Sequence, residues 1–260
     1  MSIAALIFDL DETLITDDEA TYEALQQTAS YAEKQCDIDP EPFYRAAYSR
    51  AKQLWRAAPM FPFCNSLGIS ASEGMWGRFE NDGSQWQELH DWVPGYQIAV
   101  WEHALSVQGH SHRALAEQLA TIFREQRIAS QELFPEAETV LQGLRSTYKL
   151  GILTNGAPDL QRQKIERSRL AHYFDAIVVS GEVGVGKPDP RVFTTVLEQL
   201  AVPAHATLMV GDSLERDMLG ASQSGLKGIW INREGQSHNQ HHAAHIHAQI
   251  ANLDELYKIL

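Results

Sequence analysis

The 260 residues of this chain suffice for one large domain or two ordinary ones, and a content of 44% hydrophobic and 21% charged residues is typical of folded globular proteins. A net charge of −13 argues against nucleic acid as a partner, because an acidic surface repels phosphate backbones. Two cysteines, Cys36 and Cys64, are too few for a disulfide framework, and no apolar run approaches the length of a membrane span, so we expect a cytoplasmic protein without membrane contact.

The first apolar run, Ile3 to Phe8, predicts a strand buried on both faces that ends at Asp9. It has no basic flank, so we do not interpret it as a signal peptide. Four similar runs, each followed by small or polar residues, predict further strands at 149–153, 176–179, 207–210 and 228–231. Helical periodicity occurs at 136–145, 159–170, 191–200, 214–224 and, at the end of the chain, 253–260. This alternation predicts an α/β fold: a parallel sheet with helices on both faces.

Residues 17–130 break this alternation. They contain long helical patterns at 19–34, 41–57 and 113–127, and the Gly-containing segment between Met60 and Gly83 is interpreted as loops. Five of the six tryptophans lie in this part of the chain, where an aromatic core is the simplest explanation for them. We therefore predict an α/β core domain formed by residues 1–16 and 131–260, interrupted by an all-helical domain at 17–130.

Polar motifs follow the predicted strands, at the sheet edge where open parallel sheets bind their ligands. Asp9 and Asp11 come directly after the first strand, and two carboxylates there need a cation, a hydrogen-bonding turn, or both. An N-cap with a solvated turn would explain either aspartate alone. Thr154 and Asn155, in the sequence Leu-Thr-Asn-Gly, offer a hydroxyl and backbone N–H groups to an anion, although this is also ordinary turn chemistry.

Two further motifs complete the set. Lys187 precedes two prolines on a segment that cannot be helical, and a stiff loop can direct its ammonium at phosphate or carboxylate, although an isolated lysine there would be interpreted as a surface residue. Asp212 ends the fourth strand, and Asp217 lies about one helical turn further on. Carboxylate oxygens of this kind are typical ligands of Mg²⁺, which completes its octahedron with waters and a substrate phosphate.

In this order and on both sides of the insertion, the four motifs resemble the haloacid dehalogenase superfamily, in its phosphatase branch with a helical, C1-type cap. The resemblance covers roughly residues 1–16 and 131–232, and it implies a Rossmann-like core with the cap at the insertion. It also implies Mg²⁺ as cofactor and a small phosphate monoester as substrate, hydrolysed through an aspartyl-phosphate intermediate. The implied roles are Asp9 as nucleophile, Asp11 as general acid and base, Thr154, Asn155 and Lys187 as phosphate ligands, Asp9, Asp11 and Asp212 as metal ligands, and Thr13 and Asp217 in support.

Several alternatives stay open at this point. The dehalogenase branch of the superfamily lacks the acid two residues after the nucleophile, so Asp11 argues against dehalogenation. A phosphonate-cleaving branch uses a cap lysine, for which residues 17–130 offer Lys34 and Lys52. A phosphotransferase or phosphomutase differs from a phosphatase mainly in whether the cap excludes water. A non-catalytic binding protein on the same core is the remaining alternative, which a chromogenic phosphate ester would test.

One motif lies outside the resemblance. Five histidines, at 238, 241, 242, 245 and 247, could bind a transition metal, but their spacing fits no single helix face, and a polar surface loop explains them as well. The resemblance leaves phosphoserine, phosphoglycolate, a sugar phosphate and a nucleoside monophosphate open as substrates. The sequence predicts neither which of them is used, nor the cap residues that select it, nor the oligomeric state.

Overall fold

The computed structural model of the chain describes residues 2–237 and 240–260. It divides into two compact units, one formed by Met1–Thr16 with Glu132–Leu260 and the other by Asp17–Gln131. Within the described residues, no helix is both long and apolar enough to cross a lipid bilayer.

The first unit is built on a parallel six-stranded sheet, and the predicted α/β fold is confirmed. The strands lie in the order β3-β2-β1-β4-β5-β6, so β1 occupies a central position between β2 and β4. Their bounds are Ala5–Phe8 (β1), Lys149–Thr154 (β2), Ala176–Val179 (β3), Thr207–Gly211 (β4), Lys227–Ile231 (β5) and Ile246–Ile250 (β6). The sixth strand joins the edge of the sheet in a region where the apolar pattern predicts no defined strand.

Helices cover both faces of this sheet, which explains why its central strands are apolar on both sides. The bounds are Ala137–Leu144 (α7), Pro158–Ser168 (α8), Ser180–Val183 (α9), Pro190–Leu200 (α10), Leu219–Gln223 (α11) and Gln240–Ala243 (α12). Two separate apolar clusters result: one around Phe8 and Leu141, the other around Ile7 and Phe193. Consecutive residues of β1 thus face opposite sides of the sheet.

Two predicted helices of this unit differ in detail from the structure. The helix predicted at 214–224 begins with a π-helical turn, Leu214–Met218, in which the backbone N–H groups of Asp217 and Met218 both donate to the carbonyl of Ser213. The helix predicted at 253–260 is a 3₁₀ helix, Leu253–Lys258. Both are short segments, for which tertiary packing decides the hydrogen-bond pattern.

The second unit is all-helical. Its helices are Asp17–Glu33 (α1), Pro40–Arg56 (α2), Phe61–Leu67 (α3), Ala71–Trp76 (α4), Ser84–Val107 (α5) and Arg113–Ala129 (α6). The interpretation of 60–83 as loops was wrong in part, because α3 and α4 form there. A capping box between Ser70 and Glu73 starts α4, and Gly68 in a left-handed conformation ends α3.

The entry and exit of the helical insertion lie side by side in the first unit. Ile15 forms an antiparallel bridge with Leu133, and the backbone N–H of Thr16 donates to the carbonyl of Glu132 over 3.0 Å. The first unit therefore holds both ends of the insertion next to each other.

Candidate active site

Three neighbouring strands bring the polar motifs to one edge of the sheet. In the register, Phe8 at the end of β1 lies opposite Ile152 of β2 and Val210 of β4. The residues that follow, Asp9, Thr154 and Asp212, therefore lie at the carboxyl ends of adjacent strands. The predicted convergence of the motifs follows from this register, because parallel strands end at the same edge.

A buried lysine links two of the aspartates. The Lys187 Nζ lies 2.7 Å from Asp9 Oδ1 and 2.7 Å from Asp217 Oδ1, and the Lys187 and Asp217 side chains are 1% and 0% exposed. The backbone N–H of Leu10 also donates to Asp9 Oδ1, over 2.8 Å, which fixes the rotation of that carboxylate. Burial lowers the pKa of Lys187, but the two carboxylates outweigh burial and hold its pKa above the ordinary value, so the lysine is a permanent cation.

Backbone geometry holds Asp217 in place. The N–H of Ser213 donates to Asp217 Oδ2 over 3.0 Å, across the π-helical turn. A Cβ atom at Gly211 would collide with the Asp217 carboxylate, so only glycine fits at the end of β4. With one carboxylate oxygen on Lys187 and the other on Ser213, Asp217 is arranged to orient the lysine.

The carboxylates of Asp9, Asp212 and Asp217 form a candidate metal site. Each offers an oxygen, and these three atoms all lie within 4.8 Å of one another. Burial and repulsion by Asp217 and Asp9 raise the pKa of Asp212 to about 8, and burial with repulsion by Asp9 raises the pKa of Asp217 to about 6, against the attraction of Lys187. One ammonium thus leaves the cluster with excess negative charge. A hard divalent cation with oxygen ligands fits this donor set.

Asp212 is positioned by its backbone as well as by its strand. The indole Nε1 of Trp230, buried on β5, donates to the Asp212 carbonyl over 2.8 Å. Sequence reasoning did not identify this contact, because it joins residues on two strands whose pairing the motifs do not specify.

The Thr154–Gly156 loop is tied to the Lys187 loop. The Asn155 side chain donates from Nδ2 to the Lys187 carbonyl over 3.1 Å and accepts the Lys187 N–H at Oδ1 over 2.8 Å. Thr154 is fully buried at the end of β2, and Gly156 has a φ of +143°, which favours glycine. The Asn155 side chain thus orients the lysine loop, and the phosphate-binding role predicted for Thr154 and Asn155 stays a prediction.

Asp11 is not one of the three carboxylates of the candidate metal site. Both oxygens of its carboxylate lie 3.0 Å from the Lys164 Nζ, and Gln161 Nε2 donates to Asp11 Oδ2 over 3.2 Å. The metal-ligand role predicted for Asp11 therefore stays a prediction. Lys164 and Gln161 were missed in the sequence, although their spacing of three residues on a predicted helix places them on one helix face.

Thr13 lies in the loop that follows β1. It is fully buried, its carbonyl accepts from Arg233 Nη2 over 2.9 Å, and its Oγ1 has no hydrogen-bond partner among the residues that the structure describes. Arg233 in turn pairs with Glu136 at 2.8 Å and stacks on the Phe134 ring. This network fixes the loop that carries Asp9 and Asp11.

The histidine-rich segment is only partly described. His238 lies outside the described residues, as does the side chain of His241. Among the described side chains, the one group of three or more potential ligands close enough to share a metal is Asp9, Asp212 and Asp217, so His242, His245 and His247 form no such group there.

Comparisons with known proteins cover both units. A family model described as haloacid dehalogenase-like hydrolase matches residues 3–225. Phosphoserine phosphatase of Thermus thermophilus is 36% identical over 229 residues, which are 88% of each chain. Pyrimidine 5'-nucleotidase YjjG of Escherichia coli K12 is 32% identical over 231 residues, 87% of this chain and 85% of that protein. The crystal structure of 2-haloacid dehalogenase from Pseudomonas syringae pv. tomato DC3000 superposes with a TM-score of 0.61 at 26% identity, covering 99% of this chain and 97% of that one.

Proposed function

This chain belongs to the haloacid dehalogenase-like hydrolases and is a hydrolase of phosphoric monoesters, and we propose that it is a Mg²⁺-dependent phosphatase of small metabolites that works through an aspartyl-phosphate. The resemblance drawn from the four motifs is confirmed by the family model. The observation that supports the mechanism best is the placement of Lys187 between Asp9 and Asp217, beside Asp212.

Asp9 is the proposed nucleophile. A carboxylate and a phosphate dianion repel each other, so positive charge must be placed between them before an in-line attack. Lys187 supplies one such charge at 2.7 Å from the Asp9 carboxylate. The hydrogen bond from the Leu10 N–H holds the carboxylate in one orientation, which reduces the entropy lost on reaching the transition state.

Asp9 and Asp212 are the proposed ligands of Mg²⁺, which when bound neutralises charge on the phosphate and on the nucleophile. Asp217 is the less suited ligand, because its two oxygens already contact Lys187 and the Ser213 N–H. Its proposed role is to keep the ammonium of Lys187 directed at Asp9.

Asp11 is the proposed general acid and base. As an Asp9 oxygen bonds to phosphorus, the ester P–O bond breaks, and the leaving alkoxide takes a proton from the Asp11 carboxyl. In the second step Asp11 takes a proton from water, the water oxygen attacks phosphorus, and the Asp9–phosphorus bond breaks to release inorganic phosphate. This paired acid is also the feature that favours a phosphatase over a dehalogenase, despite the similarity to the Pseudomonas syringae structure.

Phosphoserine is the first substrate to test, because a phosphoserine phosphatase is similar along most of this chain. The helical unit, proposed to serve as a cap, has 16 acidic and 9 basic residues within 17–130, a net charge of −7, and the remaining residues carry −6. Neither part attracts a polyanionic polymer, which favours small esters. A substrate enclosed during the reaction must also be small.

The test is a panel of phosphate esters assayed for inorganic phosphate with Mg²⁺, with the wild type, Asp9→Asn and a control, Asp254→Asn, at an exposed aspartate far along the chain from the motifs. We expect turnover by the wild type and the control, and none by Asp9→Asn. A phosphoenzyme trapped at another residue, or activity in Asp9→Asn, would overturn the assignment. Transfer of phosphate to a second hydroxyl without release would favour the phosphotransferase alternative, and a wild type without turnover would favour a binding protein.

A further inference from the structure

Two side chains of α8 hold the carboxylate of Asp11. The Lys164 Nζ contacts both carboxylate oxygens at 3.0 Å, and the Gln161 amide nitrogen contacts one of them at 3.2 Å. The Lys164 side chain is 1% exposed, whereas that of Asp11 is 27% exposed. The carboxylate is therefore held from its buried side and open to water on the other.

Burial makes this lysine informative. Moving an ammonium group out of water costs free energy unless the group is paired and hydrogen-bonded. Ion pairs at the surface, by contrast, contribute little to stability. Lys164 is one of the buried residues of α8, with Leu160, Gln161, Ile165 and Ser168. A methionine or leucine would pack in that environment without any cost of desolvation, so the charge at this position points to a role at the carboxylate that it contacts.

Gln161 connects this contact to the rest of the site. Its Nε2 donates to the Asn155 carbonyl over 3.0 Å as well as to Asp11. A Cβ atom at Gly156 would lie 2.5 Å from Gln161 Nε2, so the glycine leaves the space that the amide occupies. Asp11 is thereby fixed relative to the Thr154–Gly156 loop and, through the Asn155 side chain, relative to Lys187.

We propose that Lys164 and Gln161 are positioning residues, which hold the Asp11 carboxyl where it exchanges protons with the leaving group and with water. This inference rests on the proposed function of Asp11 as general acid and base. An acid on a loop must lie within hydrogen-bond reach of the leaving oxygen, and a displacement of about 1 Å can reduce the rate ~10²-fold. The three contacts from Lys164 and Gln161 supply that restraint, and the Asp11 side chain stays 27% exposed.

The test uses leaving groups of different basicity. p-Nitrophenolate is a weak base and leaves with little protonation, whereas an alkoxide is a strong base and must be protonated by the general acid as it leaves. A change that affects only proton transfer by Asp11 therefore lowers kcat/KM selectively for alkyl esters. For Lys164→Met we expect a loss of about tenfold to a hundredfold with the best alkyl phosphate of the panel, and less than about threefold with p-nitrophenyl phosphate. Lys164→Arg should recover part of the loss, because it keeps the charge and the donors.

The matched control is Arg162→Met on the same helix. Arg162 also pairs with a carboxylate, that of Glu182 at 2.8 Å, but this pair lies at the exposed surface. Its loss should therefore leave kcat/KM unchanged for both the alkyl ester and p-nitrophenyl phosphate. Asp11→Asn removes the acid itself, so its selective loss of kcat/KM for alkyl esters is the largest that a positioning variant can reach. If Lys164 acts through Asp11, the double variant Lys164→Met with Asp11→Asn loses no more than Asp11→Asn alone, since residues that act through one group are not additive.

Each outcome decides one of the two proposals. Equal losses on both esters, or losses that add in the double variant, overturn the positioning role while leaving a phosphatase that still works. A wild type that hydrolyses neither ester removes the proposed function itself. Should Lys164→Met not fold, as judged by circular dichroism, Gln161→Met tests the same point with one donor removed: a smaller alkyl-selective loss supports the role, and an unselective one overturns it.

Discussion

Replacing Asp212 by asparagine is expected to stabilise the metal-free protein at alkaline pH while abolishing activity. Asparagine keeps the size of the side chain but cannot ionise, so it removes the negative charge that is repelled by Asp217 and Asp9. The pKa of Asp212 is about 8 in the folded protein, against an ordinary value of 3.8. At this group the folded state therefore binds more protons than the unfolded state between these two values, and the contribution of Asp212 to the free energy of unfolding falls as the pH rises from about 4 to about 8.

The size of the effect follows from these two pKa values. A pKa difference of about four units corresponds to a destabilisation of ~5.5 kcal/mol at ~1.4 kcal/mol per pKa unit. This full value applies above pH 8, where Asp212 is ionised in the folded protein. Because Asp212 is only half-buried, solvent screening reduces the expected stabilisation of the variant to ~2–3 kcal/mol at pH 8.5, and it should approach zero near pH 4.

Urea unfolding in excess chelator at several pH values measures this difference, with Asp254→Asn as the control for loss of one surface charge. Saturating Mg²⁺ should then stabilise the wild type and have little effect on Asp212→Asn, since ligand binding to the folded state adds stability only where the site is intact. A variant that is less stable than the wild type at pH 8.5, or a stability difference that does not change with pH, would refute the account of mutual repulsion.

Three further predictions follow from the site and the charge distribution. A chelator should remove activity, and Mg²⁺ but not Ca²⁺ should restore it, because Ca²⁺ takes more ligands at longer distances. Replacing the histidines of 238–247 together should leave the Mg²⁺ requirement unchanged, as measured by titrating the reaction rate with the metal. The kcat/KM for small phosphate monoesters should be higher than that for a phosphopeptide or a 5′-phosphorylated oligonucleotide. An equal kcat/KM on either polymer would contradict the expectation from charge and enclosure. Gly211→Ala should lower stability by ~1–3 kcal/mol in urea unfolding and reduce kcat, because its Cβ collides with Asp217, whereas Gly95→Ala, where a Cβ would meet nothing within 4 Å, should leave kcat unchanged.

The sheet and the four motifs could be predicted because each rests on a local signal. The run from Ile3 to Phe8 has apolar residues on both faces, and a polar residue ends it, as happens at the edge of a buried parallel strand. Helix α5 was not predicted, although its buried residues Trp86, Leu89, Val93, Tyr96 and Val100 recur every three or four positions. Pro94 and Gly95 lie within this pattern, and both residue types are typical of breaks in a helix.

The parts of the site that escaped prediction depend on contacts between distant segments. The Lys164 ammonium and the Asp11 carboxylate are 153 positions apart in the chain, and the pairing of α8 with the loop after β1 is set by the sheet order. The same holds for the hydrogen bond from Trp230 to Asp212. Motif reasoning identifies the groups that react, while the groups that hold them come from packing.

The junction of the helical insertion with the sheet also has a consequence for how such a chain can be altered. Thr16 and Glu132 are already hydrogen-bonded neighbours, so for the core the segment Asp17–Gln131 is a loop whose ends are joined. Lengthening or shortening a closed loop changes the free energy of folding only with the logarithm of its length. A different insertion, or a turn of a few residues, could be spliced at this point without displacing β1 or the aspartate that follows it, which makes the junction the natural place to exchange one helical module for another.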